Sequence, residues 1–199
     1  MKIIVVASSP SDLEISCLGT ILKFVKTKNM VYLLIVPRKS KWSTKTIMQF
    51  NESWKKVGIS EIFFNYKFNH SVVTQENVNI LRSYVESINP ELVLFPSSLS
   101  KDRHKAVLGR SSILACRGIH NMLMYDSNYD SNFSPSIYSM INNTKIKESS
   151  ISNKKKIHDG KTVRKILELR KIYSRNIGLK IPVEAFNSTR ILLLNNDIF

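Results

Sequence analysis

The chain has 199 residues, of which 43% are hydrophobic, and its net charge at pH 7 is +15. A chain of this length and apolar content buries one sizeable core, so a single domain over residues 1–199 is expected. No apolar run reaches the roughly 18 residues of a membrane-spanning helix, and the first residues lack the organisation of a signal peptide. We therefore expect a cytoplasmic protein without a transmembrane segment.

Short apolar runs alternate with longer segments of helical periodicity in the first two thirds of the chain. Strands are predicted at 2–7, 31–36, 61–66, 92–95 and 121–125. Helices are predicted at 13–28, 44–57, 75–88 and 104–117. This order predicts an α/β fold: a three-layer, Rossmann-like arrangement of a mostly parallel sheet with helices on both faces.

The last third of the chain is more polar. An added strand is predicted at 137–141 and a helix at 161–175, and the apolar run Ile191–Leu194 is expected to pack on the core. The segment 142–160 is rich in lysine, and we expect it to be mobile. Between positions 142 and 180, 12 basic residues stand against 3 acidic ones. Without interleaved aromatic residues this charge does not predict a dedicated nucleic-acid module, and a solvated surface is the simpler interpretation.

The two cysteines, Cys17 and Cys116, lie among apolar residues of predicted helices. A pair so widely separated forms neither a disulfide framework nor a Cys-x-x-Cys metal motif. We expect both to be buried free thiols.

Two polar loops at the ends of predicted strands hold the candidate site residues. The first is Ser9-Pro10-Ser11-Asp12, which precedes the helical sequence Leu13-Glu-Ile-Ser-Cys-Leu-Gly-Thr-Ile21. The second follows Pro96-Ser97 and reads Lys101-Asp-Arg-His104-Lys-Ala-Val107. Open α/β sheets bind ligands at the carboxyl ends of their strands, so these loops are predicted to meet at one site. Asp12, just before the predicted helix, is also a natural N-cap.

Both loops resemble those of the LmbE/PIG-L family of zinc-dependent N-deacetylases. In that family the first loop reads His-Pro-Asp-Asp, and the second reads Asp-x-His-x-Asp-His before a hydrophobic helix. Further resemblance lies in His120–Tyr125, in Phe133-Ser-Pro135 and in Glu184-Ala-Phe186 with Arg190. The resemblance thus covers nearly the whole chain. It implies a PIG-L/LmbE-like fold, an amide hydrolase, a zinc cofactor and an N-acetyl amino-sugar ligand.

Carried over by position, the resemblance places Asp12, His104 and Ser9 at the three zinc-ligand positions. Ser11 takes the position of the general base, and Lys101 that of the histidine that stabilises the oxyanion. Zinc prefers imidazole, thiolate or carboxylate ligands, and a serine hydroxyl does not accept a proton near neutral pH without another base beside it. Only the ammonium of Lys101 suits the chemistry of its position.

A different alignment, with a three-residue deletion, places Asp102-Arg103-His104 at the earlier half of the second motif. The last histidine of the motif is then missing. Either alignment leaves the zinc site incomplete.

Three hypotheses follow from these residues. The first is a deacetylase homologue with a degenerate zinc site, non-catalytic or strongly impaired, whose cleft still binds a carbohydrate or a partner. The second is an active deacetylase of an N-acylated amino sugar, in which Glu14, Asp102 or His70 completes a non-standard metal site. The third is a basic α/β module that binds an anionic polymer or membrane surface. The sequence identifies neither the substrate nor the oligomeric state.

Overall fold

The computed structural model describes residues 1–38, 42–128, 130, 132–141 and 160–190, with the backbone alone in 160–166. Its first five strands are the five predicted apolar runs. They are β1 (Lys2–Ala7), β2 (Met30–Ile35), β3 (Glu61–Phe64), β4 (Leu92–Pro96) and β5 (Asn121–Tyr125). Two more strands, β6 (Ile137–Met140) and β7 (Val183–Arg190), complete a seven-stranded sheet in the order β3-β2-β1-β4-β5-β7-β6.

All strand pairs from β3 to β5 are parallel, whereas β7 runs antiparallel to both β5 and β6. Six helices accompany the sheet in the described residues: α1 (Pro10–Ser16), α2 (Leu18–Lys26), α3 (Thr44–Val57), α4 (Gln75–Ile88), α5 (Arg103–Ala115) and α6 (Gly160–Asn176). The predicted α/β fold with a mostly parallel sheet is confirmed. None of the described helices has the length and apolarity needed to cross a bilayer.

Alternate residues of each strand enter two separate cores, as the period of two requires. Ile4 and Val6 of β1 join one core, to which α4, α5 and α6 contribute. Ile3 and Val5 join the other, to which α2 and α3 contribute. The sheet therefore lies between two helical layers, as the sequence predicts.

The predicted helix 13–28 is in fact two helices. The chain leaves helical geometry at Cys17, where φ is −132°. A residue far away in the sequence caps the N-terminus of the second helix, α2. The Glu184 carboxylate accepts the backbone N–H groups of Gly19 and Thr20, each at 2.8 Å. These bonds compensate for the helical hydrogen bonds that the break removes.

The first helix also begins earlier than predicted. Ser9 is its N-cap, since the hydroxyl accepts the Asp12 N–H at 3.3 Å, and Pro10 occupies the first turn. The expectation that Asp12 caps this helix is therefore wrong, and its carboxylate has other partners. The helix predicted at 161–175 and the strand at 137–141 are present, whereas the expectations for 142–159 and Ile191–Leu194 fall outside the described residues.

Candidate functional site

The site lies where the strand order reverses direction, between β1 and β4. Loops that leave neighbouring strands on opposite sides open a crevice at such a point. A cleft of about 380 Å³, here called the switch-point cleft, occupies this position. It is lined by Ser8, Ser9, Ser11, Asp12, Pro37, Arg38, Trp42, Asp102 and Lys105. Three of the five predicted site residues thus line one cleft: Ser9, Ser11 and Asp12.

Asp12 is the more buried of the two carboxylates that line the cleft. Its side chain is 3% exposed. One oxygen, Oδ2, accepts the Ser8 hydroxyl at 2.6 Å, and the other, Oδ1, accepts the Ser127 hydroxyl at 3.1 Å. The ammonium of Lys105 lies 2.6 Å from the same Oδ1 and also hydrogen-bonds to Ser127. Asp12 is therefore neutralised from within the protein.

His104 contacts a different part of the chain. Its Nδ1 lies 3.2 Å from the carbonyl oxygen of His70, and the two imidazole rings meet edge to face with centroids 5.9 Å apart. His70 is itself buried, and its Nε2 lies 3.2 Å from the carbonyl oxygen of Pro37. Burial lowers the pKa of His70, and the nearby charges of His104 and Arg38 act in the same direction. The two histidine rings are therefore in contact with each other.

The described residues hold no group of three histidine, cysteine or acidic side chains placed to bind a metal ion together. No hydrogen bond or ion pair joins His104 to Asp12 in that part of the chain. The ligands proposed for a non-standard site do not gather either, because Asp102 is paired with Arg38 and His70 contacts Pro37. His104 contacts His70, whereas Asp12 contacts Ser8, Ser127 and Lys105, so the two residues that matched zinc ligands have different partners.

Ser9 and Ser11 contact each other, with their hydroxyl oxygens 2.8 Å apart. Ser9 also caps α1. A base beside Ser11 is needed before its hydroxyl can take up or pass on a proton, and its bonded neighbour is only a second hydroxyl. This part of the cleft offers hydrogen bonds to a ligand rather than acid–base catalysis.

Lys101 lies in a neighbouring cleft of about 460 Å³, here called the basic cleft. Its cationic lining residues are Lys101, Arg103 and Arg110, and none of the described lining residues is acidic. The backbone N–H of Lys101 donates to Asp130 at 2.9 Å, which fixes the loop while the side chain stays exposed. The structure does not bring the Lys101 ammonium to Asp12.

An ion pair that the sequence does not predict lines the switch-point cleft. Arg38, after β2, pairs with Asp102, whose carboxylate also caps α5 by accepting the His104 N–H at 3.1 Å. Partial burial raises the pKa of Asp102, but the hydrogen bond and charge of Arg38 outweigh it, so the pKa lies below its usual value. The charged side chains lining the cleft, two cations and two carboxylates, therefore form two pairs.

Lys105 was also missed, and only a weak signal in the sequence points to it. It directly precedes the apolar residues Ala106, Val107 and Leu108, and all four side chains are buried. A lysine within a buried helical face needs a carboxylate partner, but the sequence does not say which. Ser127, which follows β5, gave no signal at all.

The donor set around Asp12 does not fit zinc. It consists of one carboxylate, two serine hydroxyls and an ammonium within 2.6 Å of the oxygen that a metal would share. Zinc sites in proteins use imidazole, thiolate and carboxylate ligands, usually three or four of them. What the arrangement provides is a neutral, hydroxyl-rich cleft beside an aromatic ring.

Comparison with known proteins shows the same fold in several solved structures. The conserved protein TT1542 from Thermus thermophilus superposes with a TM-score of 0.80 at 17% identity, over 98% of this chain and 97% of that one. An inhibitor-bound N,N'-diacetylchitobiose deacetylase from Pyrococcus horikoshii gives 0.71 at 16% identity, over 94% and 83%. GalB, the 4-carboxy-2-hydroxymuconate hydratase from Pseudomonas putida, gives 0.70 at 12% identity, over 98% and 99%.

These identities show a shared fold, and the sequence itself matches no family model and no curated protein. The fold expected from the LmbE/PIG-L resemblance is thus the one observed, and proteins that share it include deacetylases.

Proposed function

We propose that this protein is a non-catalytic or strongly impaired homologue of the deacetylases that share its fold. Its switch-point cleft binds a carbohydrate ligand carrying an N-acetyl group, without hydrolysing it. The proposal depends mainly on the contacts of the Asp12 carboxylate. Its two oxygens accept hydrogen bonds from Ser8 and Ser127 and form an ion pair with Lys105. Amide hydrolysis needs an activated water and a base beside it, and this carboxylate is held in internal contacts instead.

The lining of the cleft supports a sugar as the ligand. Small-molecule sites combine apolar or aromatic surface with a few placed polar groups. Here the aromatic side is Trp42. Its ring makes edge-to-face contacts with the rings of Phe50 and Phe64, with centroid separations of 5.9 and 5.4 Å. The polar side consists of the Ser9 and Ser11 hydroxyls. A pyranose presents the matching surfaces, a ring of C–H groups and a rim of hydroxyls.

The test measures hydrolysis and binding on the same probe, N,N'-diacetylchitobiose. We expect no acetate release above background, with or without added zinc chloride. We expect the probe to quench the fluorescence of Trp42 in a saturable way, whereas Trp54 is fully buried and serves as an internal reference. Isothermal titration calorimetry, which does not use Trp42 as the reporter, compares the wild type with Trp42→Ala, and the alanine variant should bind the probe about tenfold more weakly, the scale of one aromatic contact.

The matched control is Met48→Ala, which removes an exposed side chain from α3 outside the cleft and should leave binding unchanged. Acetate release that disappears in Asp12→Ala would contradict the proposal and favour the active deacetylase. Equal binding by the wild type and Trp42→Ala would contradict the assignment of the cleft.

The basic cleft favours a second candidate function, the binding of an anionic polymer. Three cationic side chains, Lys101, Arg103 and Arg110, surround it without an acidic lining residue in the described chain. Retention on a heparin column that falls steeply with salt, and falls further in a Lys101→Ala, Arg103→Ala double variant, would support this function. Equal elution of the double variant and the wild type would count against it.

A further inference from the structure

The buried ammonium of Lys105 occupies the neighbourhood of Asp12 that a metal ion needs. We propose that Lys105 replaces a metal ion as the permanent counter-ion of Asp12, so that the site is assembled and stable without metal. The inference depends on the proposed function in one respect only, the match of Asp12 to a zinc-ligand position. It is a statement about how the site is held together, whatever the cleft binds.

Burial makes a counter-ion necessary. The side chains of Lys105 and Asp12 are 10% and 3% exposed. A carboxylate removed from water to this degree stays ionised only with a positive partner or a full set of hydrogen-bond donors. The Lys105 ammonium supplies the charge at 2.6 Å from Oδ1, and the hydroxyls of Ser8 and Ser127 supply the remaining donors.

The same contacts exclude a second cation. A metal ligated by Oδ1 would lie close to an ammonium that is itself within 2.6 Å of this oxygen. Two positive charges so close in a buried place repel each other strongly. Metal binding at Asp12 therefore requires the Lys105 side chain to leave its position and break its hydrogen bond with Ser127.

The start of α5 explains why Lys105, and not His104, reaches Asp12. The Asp102 carboxylate accepts the backbone N–H groups of both His104 and Lys105, at 3.1 and 3.4 Å, and so fixes the first turn. Successive residues of a helix point about 100° apart. With Lys105 directed at Asp12, the preceding side chain points elsewhere, and it meets His70.

Thermal unfolding of a single and a double variant in a metal-free buffer tests the counter-ion role. Lys105→Met leaves the buried carboxylate unpaired, and we expect the Tm to fall by on the order of 10 °C. Adding Asp12→Asn removes the orphaned charge, and the double variant should recover at least half of that loss. Lys56→Met, at an exposed position of α3, is the matched control and should leave the Tm within about 1 °C. A double variant no more stable than Lys105→Met overturns the inference.

Zinc titration provides a second test that needs no lysine variant to fold. The wild type and Asp12→Asn are titrated with zinc chloride and followed by calorimetry. We expect the wild type and Asp12→Asn to give the same titration curve, because no zinc ion binds at Asp12 in the wild type. One equivalent of zinc bound by the wild type and lost in Asp12→Asn overturns the inference.

The two proposals fail in different ways. Stoichiometric zinc at Asp12 without acetate release would overturn the role of Lys105 and leave the sugar-binding function standing. Acetate release by zinc-free protein would overturn the non-catalytic function and leave the role of Lys105 standing.

Discussion

The two cysteines show how far burial alone governs the chemistry of single residues. Cys17 is 0% exposed and Cys116 2%, and both are free, as the sequence predicts. Burial raises the pKa of Cys116 to about 12 and that of Cys17 well above its usual value. Because the thiolate is the reactive form, we expect a disulfide reagent at about pH 8 to label fewer than about 0.1 thiols per folded chain and two after denaturation. Rapid labelling of the folded protein would contradict this burial.

The same thiols make stability depend on pH in the alkaline range. Below about pH 7 they are protonated in both the folded and the unfolded chain and contribute no slope. At higher pH the unfolded chain loses these protons while the folded chain keeps them, so the free energy of unfolding falls as pH rises. We expect Cys116→Ala to reduce the slope between about pH 8.5 and 10 in urea titrations. An unchanged slope would show that Cys116 ionises equally in both states.

The sequence predicts which residues lie in the loop at the end of a strand, but it does not predict the partners that distant elements bring to them. Asp12 and Ser11 were placed in the cleft because they follow the end of a strand. Lys105 and Ser127 were not, because their roles exist only where α5 and the end of β5 meet β1. No spacing in the sequence encodes that meeting.

At the level of elements, one glycine allows α5 to pack closely against the backbone of Pro96–Ser98, which precedes it in the chain. A Cβ on Gly109 would lie 2.3 Å from the carbonyl oxygen of Pro96, a backbone atom that cannot yield by rotation. We expect Gly109→Ala to lower the free energy of unfolding by about 2 kcal/mol, because this clash exceeds the ~1 kcal/mol that alanine gains in a helix. Chemical denaturation measures the change.

Gly118→Ala is the matched control, because a Cβ there meets nothing within 4 Å. It should alter stability by less than about 0.5 kcal/mol. A Gly109→Ala variant as stable as Gly118→Ala would show that α5 moves freely over its loop, and the position of Lys105 would lose its support.

Glu184 of β7 connects its own strand with α2 and α6. Its carboxylate accepts two backbone N–H groups at the start of α2 and pairs with Arg170 of α6, and both side chains are almost fully buried. Glu184→Gln leaves the guanidinium buried without its counter-charge, and we expect a loss of about 3–5 kcal/mol. Glu86→Gln, at an exposed position of α4, is the control and should be nearly neutral. Equal unfolding midpoints for the two variants would contradict the role of Glu184.

Elements with local signals were predicted closely, and those without were not. The bounds of α4 agree with the prediction, because Thr74 caps its start and Asn89 in left-handed geometry ends it before Pro90. β7 was not predicted as a strand, since its sequence Val-Glu-Ala-Phe-Asn-Ser-Thr-Arg mixes polar and apolar residues. The break at Cys17 depends on Glu184, which lies 165 residues beyond the Gly19 N–H that it accepts.

For the whole molecule, the alternation of strands and helices in the sequence predicted the parallel part of the sheet. It did not predict the antiparallel edge that β7 and β6 form. The fold positions the cleft but does not choose its chemistry, since a deacetylase and a hydratase share it. The choice is made by a few side chains at the switch point. In this chain they form two internal ion pairs, Asp12 with Lys105 and Asp102 with Arg38, in a protein whose net charge is +15.

Diffraction from crystals grown with zinc chloride, recorded on both sides of the zinc absorption edge, shows whether Lys105 or a metal ion neutralises Asp12. We expect no anomalous peak at Asp12, with the Lys105 ammonium in hydrogen-bond contact with the Asp12 carboxylate and Ser127. An anomalous peak about 2 Å from an Asp12 oxygen, with Lys105 displaced from it, would contradict the role of Lys105 as counter-ion.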